Sequence, residues 1–384
     1  MKKYDLAIVG GGVLGTFHAY HAALLGLKVL VLEKDLFPQE ASVRNFGQVV
    51  PSGFPVGKWH NYGCYSTQLY KSIHEKFDIG IQNNGSTYIA SSEDEMQLLL
   101  ELQESFKASD YVSNLFSKEE LLKKYPSVDS NYAVGAIEFP QEISVESRKM
   151  IHQLHAYLRE STDIDFKYAT PVLSLNDKGS AVEIQTSRNE LIAATRAIVC
   201  NGRDFRILYP EVFSQSNIEV VKLNMMVTNP MPEIKLPGNI LTGLTIRRYE
   251  SFKALKGYKN LNWDNVNQEA LKLGIHILFK QRIDGSIVIG DSHQYADASI
   301  NEELGFDMDM SINKLILDES KKIINLPNWN IQHYWNGFYA QMKGDEEIFD
   351  FEISNNIKIV TAIGGKGMTA SAGYSKESIA KFFN

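Results

Sequence analysis

The stretch that most constrains the fold of this chain is Asp5–Glu33. It carries Gly10, Gly12 and Gly15 in G-x-G-x-x-G spacing, directly after a short apolar run. An Ala-rich segment of helical length comes next, and a second apolar run ends at Glu33. This order is typical of a dinucleotide-binding strand–helix–strand unit. An ordinary Gly-rich turn is the alternative, but it leaves the flanking strands and the acidic residue unexplained.

Each part of this unit has a role in holding a dinucleotide. Gly12 lets a pyrophosphate approach the backbone, and the free N–H groups at the start of the helix face the phosphates, where the helix dipole is positive. Glu33 is suited to accept hydrogen bonds from a ribose diol, and its charge disfavours a 2′-phosphate. The cofactor-binding residues predicted in this stretch are Gly10, Gly12, Val13, Leu14, Gly15, Glu33 and Lys34.

Composition limits the classes of protein to which the chain can belong. Its 384 residues are too many for one core, so two domains are expected. The net charge of -7 and the lack of a Lys/Arg run argue against a nucleic-acid partner. No apolar stretch reaches membrane-spanning length, and the N-terminal run is too short for a signal peptide. Because the cysteines are only Cys64 and Cys200, without a C-x-x-C motif, a cytoplasmic location is expected.

A polar, Gly-punctuated loop follows the second strand of the N-terminal unit. It contains Ser42, Arg44, Asn45, Phe46 and Gly47, and it is too irregular to be predicted as a helix. A loop at this position reaches the same phosphates and ribose, so these five residues are further candidates for cofactor binding. A surface loop with a structural Asn is the alternative, and the sequence alone does not decide between the two.

Local patterns predict further elements along the chain. The capping boxes Ser92-x-x-Glu95 and Ser117-x-x-Glu120 predict two helix starts, and apolar spacing predicts a helix over Ser147–Ser161. The middle third is rich in predicted strands, including Leu241–Arg248. Two histidine pairs have i,i+3 spacing but no evident third ligand, so no metal site is predicted. These pairs are His18 with His21 and His152 with His155.

A second glycine-rich junction lies near the C-terminus. Ile357–Thr361 is predicted to be a strand, Gly364–Gly373 follows it, and a helix then continues to Phe383. The junction supplies another set of backbone N–H groups at a helix N-terminus. A nicotinamide enzyme needs only the first junction, whereas a flavin, whose pyrimidine carbonyl becomes anionic on reduction, benefits from the second. The residues predicted to meet the flavin are Gly364, Gly365, Lys366, Gly367, Met368 and Thr369.

With both junctions in place, the chain resembles the D-amino-acid-oxidase-type family of FAD-dependent oxidoreductases, which includes glycine and sarcosine oxidases. The resemblance implies FAD, bound noncovalently because neither cysteine lies where related sarcosine oxidases attach flavin. It also adds Gly202 and Gly337 to the predicted cofactor-binding residues. The segments that carry the resemblance are Gly10–Gly15 with Glu33, Ser42–Gly47, Ala197–Gly202, Asp284–Gly290, Trp335–Gly337 and Gly364–Gly373.

The expected fold class is α/β, or α+β overall, with a Rossmann-like FAD-binding domain interleaved with an antiparallel-sheet substrate domain. Residues 1–80, 145–215 and 325–384 are assigned to the FAD-binding domain, and residues 81–144 and 216–324 to the substrate domain. A strand-rich insert between pieces of a nucleotide-binding domain implies a sheet that covers the cofactor. The absence of repeats and of low-complexity linkers supports this interleaving.

Three further stretches resemble a subgroup of the family associated with bacterial phosphonate breakdown. They are Arg44–Gly47, Arg247–Phe252 and Gly290–Tyr295. The resemblance implies FAD-dependent oxidation of the C–N bond of a 2-aminoethylphosphonate-type amine, including N-methylated forms. The resulting imine hydrolyses to phosphonoacetaldehyde plus ammonia or methylamine. The electron acceptor is oxygen or another oxidant, and the sequence does not choose between them.

The chain departs from glycine-oxidase-like members of the family at Tyr339. Those members carry an Arg there, two residues after the Gly of Trp-x-Gly, and it binds the substrate carboxylate bidentately. Other cations are therefore expected to meet an anionic substrate. Lys366 is the best placed, followed by Arg247 or Arg248, of which a strand turns only one inward. The residues predicted to act on the substrate are Lys366, Tyr339, Arg247, Arg248, Tyr249 and His293.

Three other functions remain open on the sequence alone. The first is oxidation of a small amino acid such as glycine, sarcosine or a D-amino acid. The second is an NAD-dependent dehydrogenase that uses only the N-terminal motif, which leaves Gly364–Gly373 without a role. The third is a flavoprotein that holds FAD without turnover, and it differs from the first in that no amine reduces its flavin.

Overall fold

The computed structural model describes residues 3–383, which fold into two large sheets, one small sheet and a set of helices. The strands are β1 Lys3–Val9, β2 Val29–Leu32, β3 Gln48–Val49, β4 Ile81–Gln82, β5 Ser86–Ala90, β6 Asn114–Ser117, β7 Gly135–Phe139, β8 Ile143–Val145, β9 Asp165–Lys167, β10 Val172–Asp177, β11 Val182–Thr186, β12 Leu191–Val199, β13 Ile218–Thr228, β14 Asn239–Leu241, β15 Leu278–Gln281, β16 Ile287–Gly290, β17 Gln294–Asp297, β18 Ile331–Met342, β19 Phe349–Ser354 and β20 Ile357–Thr361.

The helices lie between these strands and at the C-terminal end of the described chain. They are α1 Val13–Leu24, α2 Ala41–Arg44, α3 Lys58–His74, α4 Glu93–Phe106, α5 Lys118–Lys124, α6 Ser147–Ser161, α7 Pro210–Ser214, α8 Gly243–Ile246, α9 Glu250–Lys253, α10 Gln268–Lys272, α11 Met310–Ser320 and α12 Gly367–Phe383.

Strand β1 lies at the centre of a largely parallel sheet. It pairs in parallel with β2 and β12, which continue in parallel to β9 and β20. Strands β10, β11 and β19 extend the sheet through antiparallel pairs. Every residue of Val29–Leu32 is buried, as expected for a parallel strand covered on both faces. This sheet confirms the predicted strand–helix–strand unit and places both glycine-rich junctions beside it.

Helix α12 packs against α1 and α3, and buried histidines tie these elements together. His18 Nδ1 lies 2.8 Å from the carbonyl oxygen of Leu14, and its Nε2 lies 3.0 Å from Ser378 Oγ. His21 Nε2 lies 2.9 Å from the carbonyl oxygen of Ala372. Burial lowers the pKa of His18 to about 3, so its ring is neutral at physiological pH. This histidine pair joins two helices through hydrogen bonds.

The second large sheet is mostly antiparallel and is built around the long pair β13–β18. Strands β16 and β17 also pair with β13, while β15, β14, β5, β7 and β6 continue the sheet. Among the residues that the structure describes, β14–β5 is the parallel pair within it. The mixed α/β architecture confirms the predicted fold class. The exact division of the chain into two domains stays a prediction.

The segment predicted as a strand over Leu241–Arg248 is mostly helical, and that prediction is wrong. Strand β14 ends at Leu241, and α8 begins at Gly243. The Thr242 hydroxyl donates to the carbonyl oxygen of Ile277 on the neighbouring segment, which turns the chain away from the sheet. The backbone N–H of Thr242 donates to Thr245 Oγ1 at 3.3 Å, so this N–H group at the start of α8 has a hydrogen-bond partner.

Three local predictions have different outcomes. The capping box at Ser117 is confirmed, because Ser117 and Glu120 exchange both hydrogen bonds. The helix start predicted at Ser92 is confirmed, since α4 begins at Glu93, but the capping box is wrong: the Ser92 side chain makes no cap hydrogen bond and the Glu95 carboxylate pairs with Arg247. The loop after β2 contains one helical turn, α2, which the irregular sequence did not predict.

Candidate functional site

Two adjoining cavities run along the edge of the parallel sheet. The larger has a volume of about 870 Å³ and the smaller about 350 Å³. They share wall residues, among them Gly12, Ser42 and Gly202. Because both glycine-rich junctions line this combined space, it is the candidate functional site. Its elongated, two-part form suits a dinucleotide whose pyrophosphate lies at the shared wall.

The smaller cavity contains the acidic residue at the end of β2. Glu33 Oε2 accepts a hydrogen bond from the Gly11 N–H at 2.8 Å, and Oε1 accepts one from the Asp35 N–H at 3.0 Å. Burial raises the pKa of Glu33 above its usual value, against the effect of these N–H groups. Lys34 also lines this cavity and lies 3.4 Å from Asp204. These contacts fix the carboxylate at the predicted ribose position.

The glycines of the first junction are required by close backbone contacts. Gly10 has φ +108°, and a Cβ there would lie 2.2 Å from the carbonyl oxygen of Cys200. A Cβ on Gly15 would lie 2.1 Å from the carbonyl oxygen of Gly10. Gly10 lines the smaller cavity, whereas Gly15 lies outside both and serves helix packing. Asn201 also lines the smaller cavity, and within residues 3–383 its buried Oδ1 has no hydrogen-bond partner.

The larger cavity is lined by the start of α1, the loop after β2 and the second junction. Ser42 Oγ accepts a hydrogen bond from the Val13 N–H at 2.8 Å, which joins the loop to the helix. Asn45 Oδ1 accepts one from Ser147 Oγ at 2.9 Å, which fixes the loop from behind. The predicted cofactor residues that line this cavity are Gly12, Val13, Leu14, Ser42, Asn45, Phe46, Gly47, Gly202, Gly364, Gly365, Lys366, Gly367, Met368 and Thr369.

Besides Gly15, two predicted cofactor residues, Arg44 and Gly337, do not line either cavity. The Arg44 guanidinium donates to the carbonyl oxygen of Gln39 at 2.8 Å and to that of Asn336 at 3.4 Å. Gly337 packs against the Arg44 backbone, since a Cβ there would lie 3.1 Å from the Arg44 carbonyl oxygen. Trp335 Nε1 donates to the same oxygen at 3.1 Å. Arg44 and Gly337 therefore hold the cofactor loop against β18, which corrects their predicted role.

Arg247 is not at the site, which corrects the prediction that it meets the substrate. Its Nε lies 2.6 Å from Glu95 Oε1, and a second nitrogen lies 3.6 Å from Asp94. Its Nη1 donates to the carbonyl oxygen of Asn262 at 2.8 Å, and the guanidinium lies over the Trp263 ring. The strand assumed for this segment is a helix, so alternation does not decide which Arg faces inward. Arg247 instead joins α8 to α4.

Arg248, Tyr249, Tyr339, His293 and Lys366 all line the larger cavity. Arg248 Nη2 donates to the Tyr295 hydroxyl at 2.8 Å, and among the described residues no carboxylate pairs with it at ion-pair distance. Lys366 Nζ lies 3.1 Å from Glu250 Oε1 and 5.5 Å from the centroid of the Trp59 ring. Burial raises the pKa of both Tyr249 and Tyr339, so both phenols are neutral. The structure thus brings five of the six predicted substrate residues together.

His293 belongs to a cluster with His276 and Asp291, neither of which was among the predicted site residues. His276 Nε2 is 2.8 Å from Asp291 Oδ1, and His293 Nδ1 is 3.7 Å from the same oxygen. One donor atom from each of the three lies within 4.8 Å of the others, a spacing that a metal ion can bridge. The 2.8 Å contact is close, but among the described residues the buried Asp291 Oδ1 has no aligned hydrogen-bond donor. The two rings and Arg248 lower the pKa of Asp291 against the effect of its burial, so a carboxylate lies in the cavity wall.

Other wall residues were also missed by the sequence analysis. Lys253 and Glu250 lie on α9, which was not predicted as a helix, and both line the larger cavity. Thr170 and Val172 lie beside Glu33 in the smaller cavity through the parallel pair of β2 and β9. No local motif marks them. The Gly-Asp-Ser-His run at 290–293 was a usable signal for Asp291, because an Asp precedes a predicted site His by two residues.

Comparisons with known proteins agree with this geometry. A family model described as FAD dependent oxidoreductase (DAO) matches residues 5–380. An opine oxidase subunit from Rhizobium meliloti is 23% identical over 366 residues, covering 91% of this chain and 85% of that protein. The crystal structure of glycine oxidase from Geobacillus kaustophilus has a TM-score of 0.76 at 17% identity, covering 100% of this chain and 95% of that one. Iminodiacetate oxidase from Chelativorans sp. BNC1 has a TM-score of 0.74 at 15% identity, with coverages of 98% and 95%.

None of the described helices combines the length and the apolar character that crossing a membrane requires.

Proposed function

The chain belongs to the FAD-dependent oxidoreductase (DAO) family, and on this basis we propose that it oxidises the C–N bond of a small amine that carries an anionic group. The proposed substrate is of the 2-aminoethylphosphonate type, including N-methylated forms. Oxidation gives an imine, which hydrolyses to phosphonoacetaldehyde plus ammonia or methylamine. Whether the anionic group of the substrate is a phosphonate or a carboxylate, the enzyme acts on an amine or an amino-acid-like compound.

The residues present fit FAD. Gly12 lies in the wall shared by the two cavities and has no side chain to block a pyrophosphate, and Glu33 is fixed where a ribose diol would bind. The second junction, beginning at Gly364, would hold the flavin at the start of α12. When bound, FAD supplies a two-electron acceptor for the C–H bond beside the amine nitrogen. The protein supplies binding, orientation and charge.

The observation that carries the phosphonate proposal is the set of cations in the cavity wall. Arg248, Lys253 and Lys366 all line the larger cavity, and Tyr339 stands where an Arg would grip a carboxylate. A forked guanidinium favours planar carboxylates, whereas a tetrahedral dianion is suited to several separate donors. Among the described residues neither Arg248 nor Lys253 has a carboxylate at ion-pair distance, whereas Lys366 lies 3.1 Å from Glu250 Oε1.

The aromatic residues around these cations have a separate role. Tyr339 is buried and Tyr249 half-buried, and both are un-ionised, so they present hydroxyl donors and apolar ring faces to a small substrate. At Gly53 the backbone lies close to the Tyr249 ring, because a Cβ added there would lie 3.0 Å from the nearest ring atom. Such a wall excludes water from the substrate and limits its size.

Anaerobic mixing with a panel of amines tests the proposal. The FAD-loaded protein is mixed separately with 2-aminoethylphosphonate, its N-methyl form, sarcosine and glycine, and flavin absorbance is followed. We expect bleaching by one or both phosphonates. Bleaching by glycine or sarcosine alone contradicts the phosphonate substrate, and bleaching by none supports a flavoprotein without turnover on these amines.

Oxidation of a small amino acid is the second candidate function. Relatives and structural neighbours are named for glycine, opine and iminodiacetate oxidation, and those substrates all carry carboxylates. The same cations would then meet a carboxylate, without the bidentate Arg at position 339. The panel separates the two candidates, because glycine and sarcosine carry the carboxylate and the other two compounds carry the phosphonate.

A further inference from the structure

The Asp291 carboxylate lies in the wall of the larger cavity. It follows β16, and its backbone exchanges two hydrogen bonds with that of His276, at 2.8 and 3.1 Å. This pairing fixes the Asp291 carboxylate against His276 Nε2 at 2.8 Å. The His293 N–H at Nδ1 donates to the carbonyl oxygen of Gly274 at 2.9 Å, which directs the other ring nitrogen away from that carbonyl. The backbone thus holds all three side chains in place.

The two imidazoles lie close to the Asp291 carboxylate without satisfying it. His276 Nε2 lies 2.8 Å from Asp291 Oδ1, but among the described residues that buried oxygen has no hydrogen-bond partner. His276 Nδ1 lies 3.3 Å from Thr245 Oγ1 on the other side of the ring. Burial alone would raise the pKa of Asp291, but its neighbours His276, His293 and Arg248 together lower it. Asp291 is therefore a carboxylate in the cavity wall, and its Oδ1 lacks an aligned donor.

The groups around this charge give the cavity wall a clear polarity. Tyr249 and Tyr339 line the same cavity as Asp291, and both phenols are neutral. Arg248 lines this cavity too, and its Nη2 donates to the Tyr295 hydroxyl. A carboxylate and a guanidinium therefore share one wall of the cavity. A ligand with opposite charges at its two ends, that is a small zwitterion, complements this pattern.

We propose that Asp291, supported by His276 and His293, is the subsite that binds the amino group of the substrate in its ammonium form. The anionic end of the same molecule then faces Arg248. The inference rests on the proposed amine oxidation and adds that the substrate binds with its amino group protonated. A small alkylamine is an ammonium at neutral pH, so this is the form that the cavity meets first. Simple anions without the amino group are disfavoured because they leave the buried carboxylate unpaired.

Ligand pairs that differ only at the amino group test this subsite. Binding is measured by calorimetry on the FAD-loaded, dithionite-reduced protein under argon, so that no turnover occurs. The pairs are 2-aminoethylphosphonate with ethylphosphonate, and glycine with acetate. For at least one pair, we expect the wild type to bind the amine roughly tenfold or more tightly than its partner. No preference in either pair overturns the proposal.

The variant Asp291→Asn removes the charge and keeps the shape. We expect it to reduce the preference to about twofold or less, with little change in the Kd of the anion that lacks the amine. Asp297→Asn, an exposed carboxylate on β17 paired with Lys343, is the matched control and should keep the preference. An unchanged preference in Asp291→Asn, or an equal loss of affinity for both members of a pair, overturns the proposal.

A measurement on the wild type keeps the proposal testable if Asp291→Asn loses FAD. The probe is 2-hydroxyethylphosphonate, which can donate a hydrogen bond but carries no positive charge. We expect it to bind within about twofold of ethylphosphonate. Affinity equal to that of 2-aminoethylphosphonate overturns the proposal, as does a stoichiometric divalent metal in the purified wild type. Flavin reduction by the amine panel is a separate readout, so failure of the proposed function and failure of this subsite are distinguishable.

Discussion

Charged residues that are neighbours in the sequence have different roles in this protein. Arg247 and Arg248 are neighbours in sequence, yet one is buried in an ion pair with Glu95 and the other lines the cavity. Both arginines lie in the turn that directly follows helix α8, where the strict alternation of a strand does not apply and the two side chains reach different surroundings. A buried ion pair serves structure, whereas a cation facing a cavity is available to a ligand. The two arginines should therefore respond differently to the same substitution.

Replacing Arg248 by Met should weaken binding of anionic substrates. We expect the Kd of 2-aminoethylphosphonate to rise roughly tenfold, because a desolvated charge-assisted hydrogen bond is lost. Calorimetry on the reduced protein measures it. The control is Arg188→Met, in which the lost guanidinium is exposed and donates to the backbone carbonyls of Ala169 and Tyr168. An unchanged Kd in Arg248→Met argues against an anion at this position.

Replacing Arg247 by Met should instead reduce the free energy of unfolding. The change leaves Glu95, which is 1% exposed, without its ion-pair partner, and we expect a loss of about 3 to 5 kcal/mol in denaturant titrations. The double variant Glu95→Gln with Arg247→Met should recover part of this loss, since no unpaired charge remains. Weaker substrate binding with an unchanged free energy of unfolding would instead indicate that Arg247 contacts the substrate.

Glu142 makes stability depend on pH. It is fully buried and accepts hydrogen bonds from the Ser52 N–H and the Tyr111 hydroxyl, and burial raises its pKa to about 7. The folded state therefore keeps a proton between about pH 4.5 and 7 that the unfolded state releases, so stability falls as pH rises through this window. From pH 4.5 to 8, wild type should lose roughly 3 kcal/mol more than Glu142→Gln in urea titrations. Parallel pH profiles would contradict this.

At the scale of elements, strand–turn–helix junctions determine where a cofactor can lie. The first junction brings backbone close to backbone at Gly10 and Gly15, and the second begins α12 beside the same cavity. Gly47, in the loop after β2, has φ +85° and lies directly over Val145 and Lys280. Burial lowers the pKa of Lys280 to about 8, and its Nζ donates to the carbonyl oxygen of Val145 at 2.8 Å. This packing is what positions the loop.

Gly47→Ala should therefore be far more damaging than an Ala at an open glycine. A Cβ on Gly47 would lie 2.4 Å from the Val145 carbonyl oxygen and 2.5 Å from Lys280 Nζ. Gly26 has a similar φ of +78° with no atom within 4 Å of an added Cβ, so Gly26→Ala is the matched control. We expect a loss of about 1 kcal/mol for Gly26→Ala and several-fold more, with reduced FAD content, for Gly47→Ala. Equal effects would show that only the backbone angle matters.

At the scale of the whole molecule, the site is assembled from distant parts of the chain. Its walls combine the start of α1, the loop after β2, the end of β16 and the start of α12. The cofactor should therefore stabilise the folded protein as a unit, because residues from both large sheets line the cavities. Ligand binding of this kind appears as a rise in Tm with ligand concentration.

Removing FAD should lower Tm, and adding it back should restore it. At a free FAD concentration 100 times Kd, the expected stabilisation is about 2.7 kcal/mol, measured by thermal unfolding with increasing FAD. ADP lacks the flavin that the larger cavity is proposed to hold, so at an equal concentration it should stabilise less than FAD. An equal effect of ADP would indicate that the larger cavity does not bind the flavin.

The sequence by itself determined the dinucleotide-binding unit, the second glycine-rich junction and the family resemblance, because these depend on residues close together in the chain. Strand β20 has the predicted bounds Ile357–Thr361, and α6 has the predicted bounds Ser147–Ser161. The tertiary structure alone decided which charges face the cavity. Helix α8 replaced a predicted strand, since Thr242 bonds Ile277 across 35 residues of chain. The tertiary fold also puts Arg247 in an ion pair with Glu95 and pairs the backbone of His276 with that of Asp291, and contacts between residues so far apart leave no local pattern in the sequence.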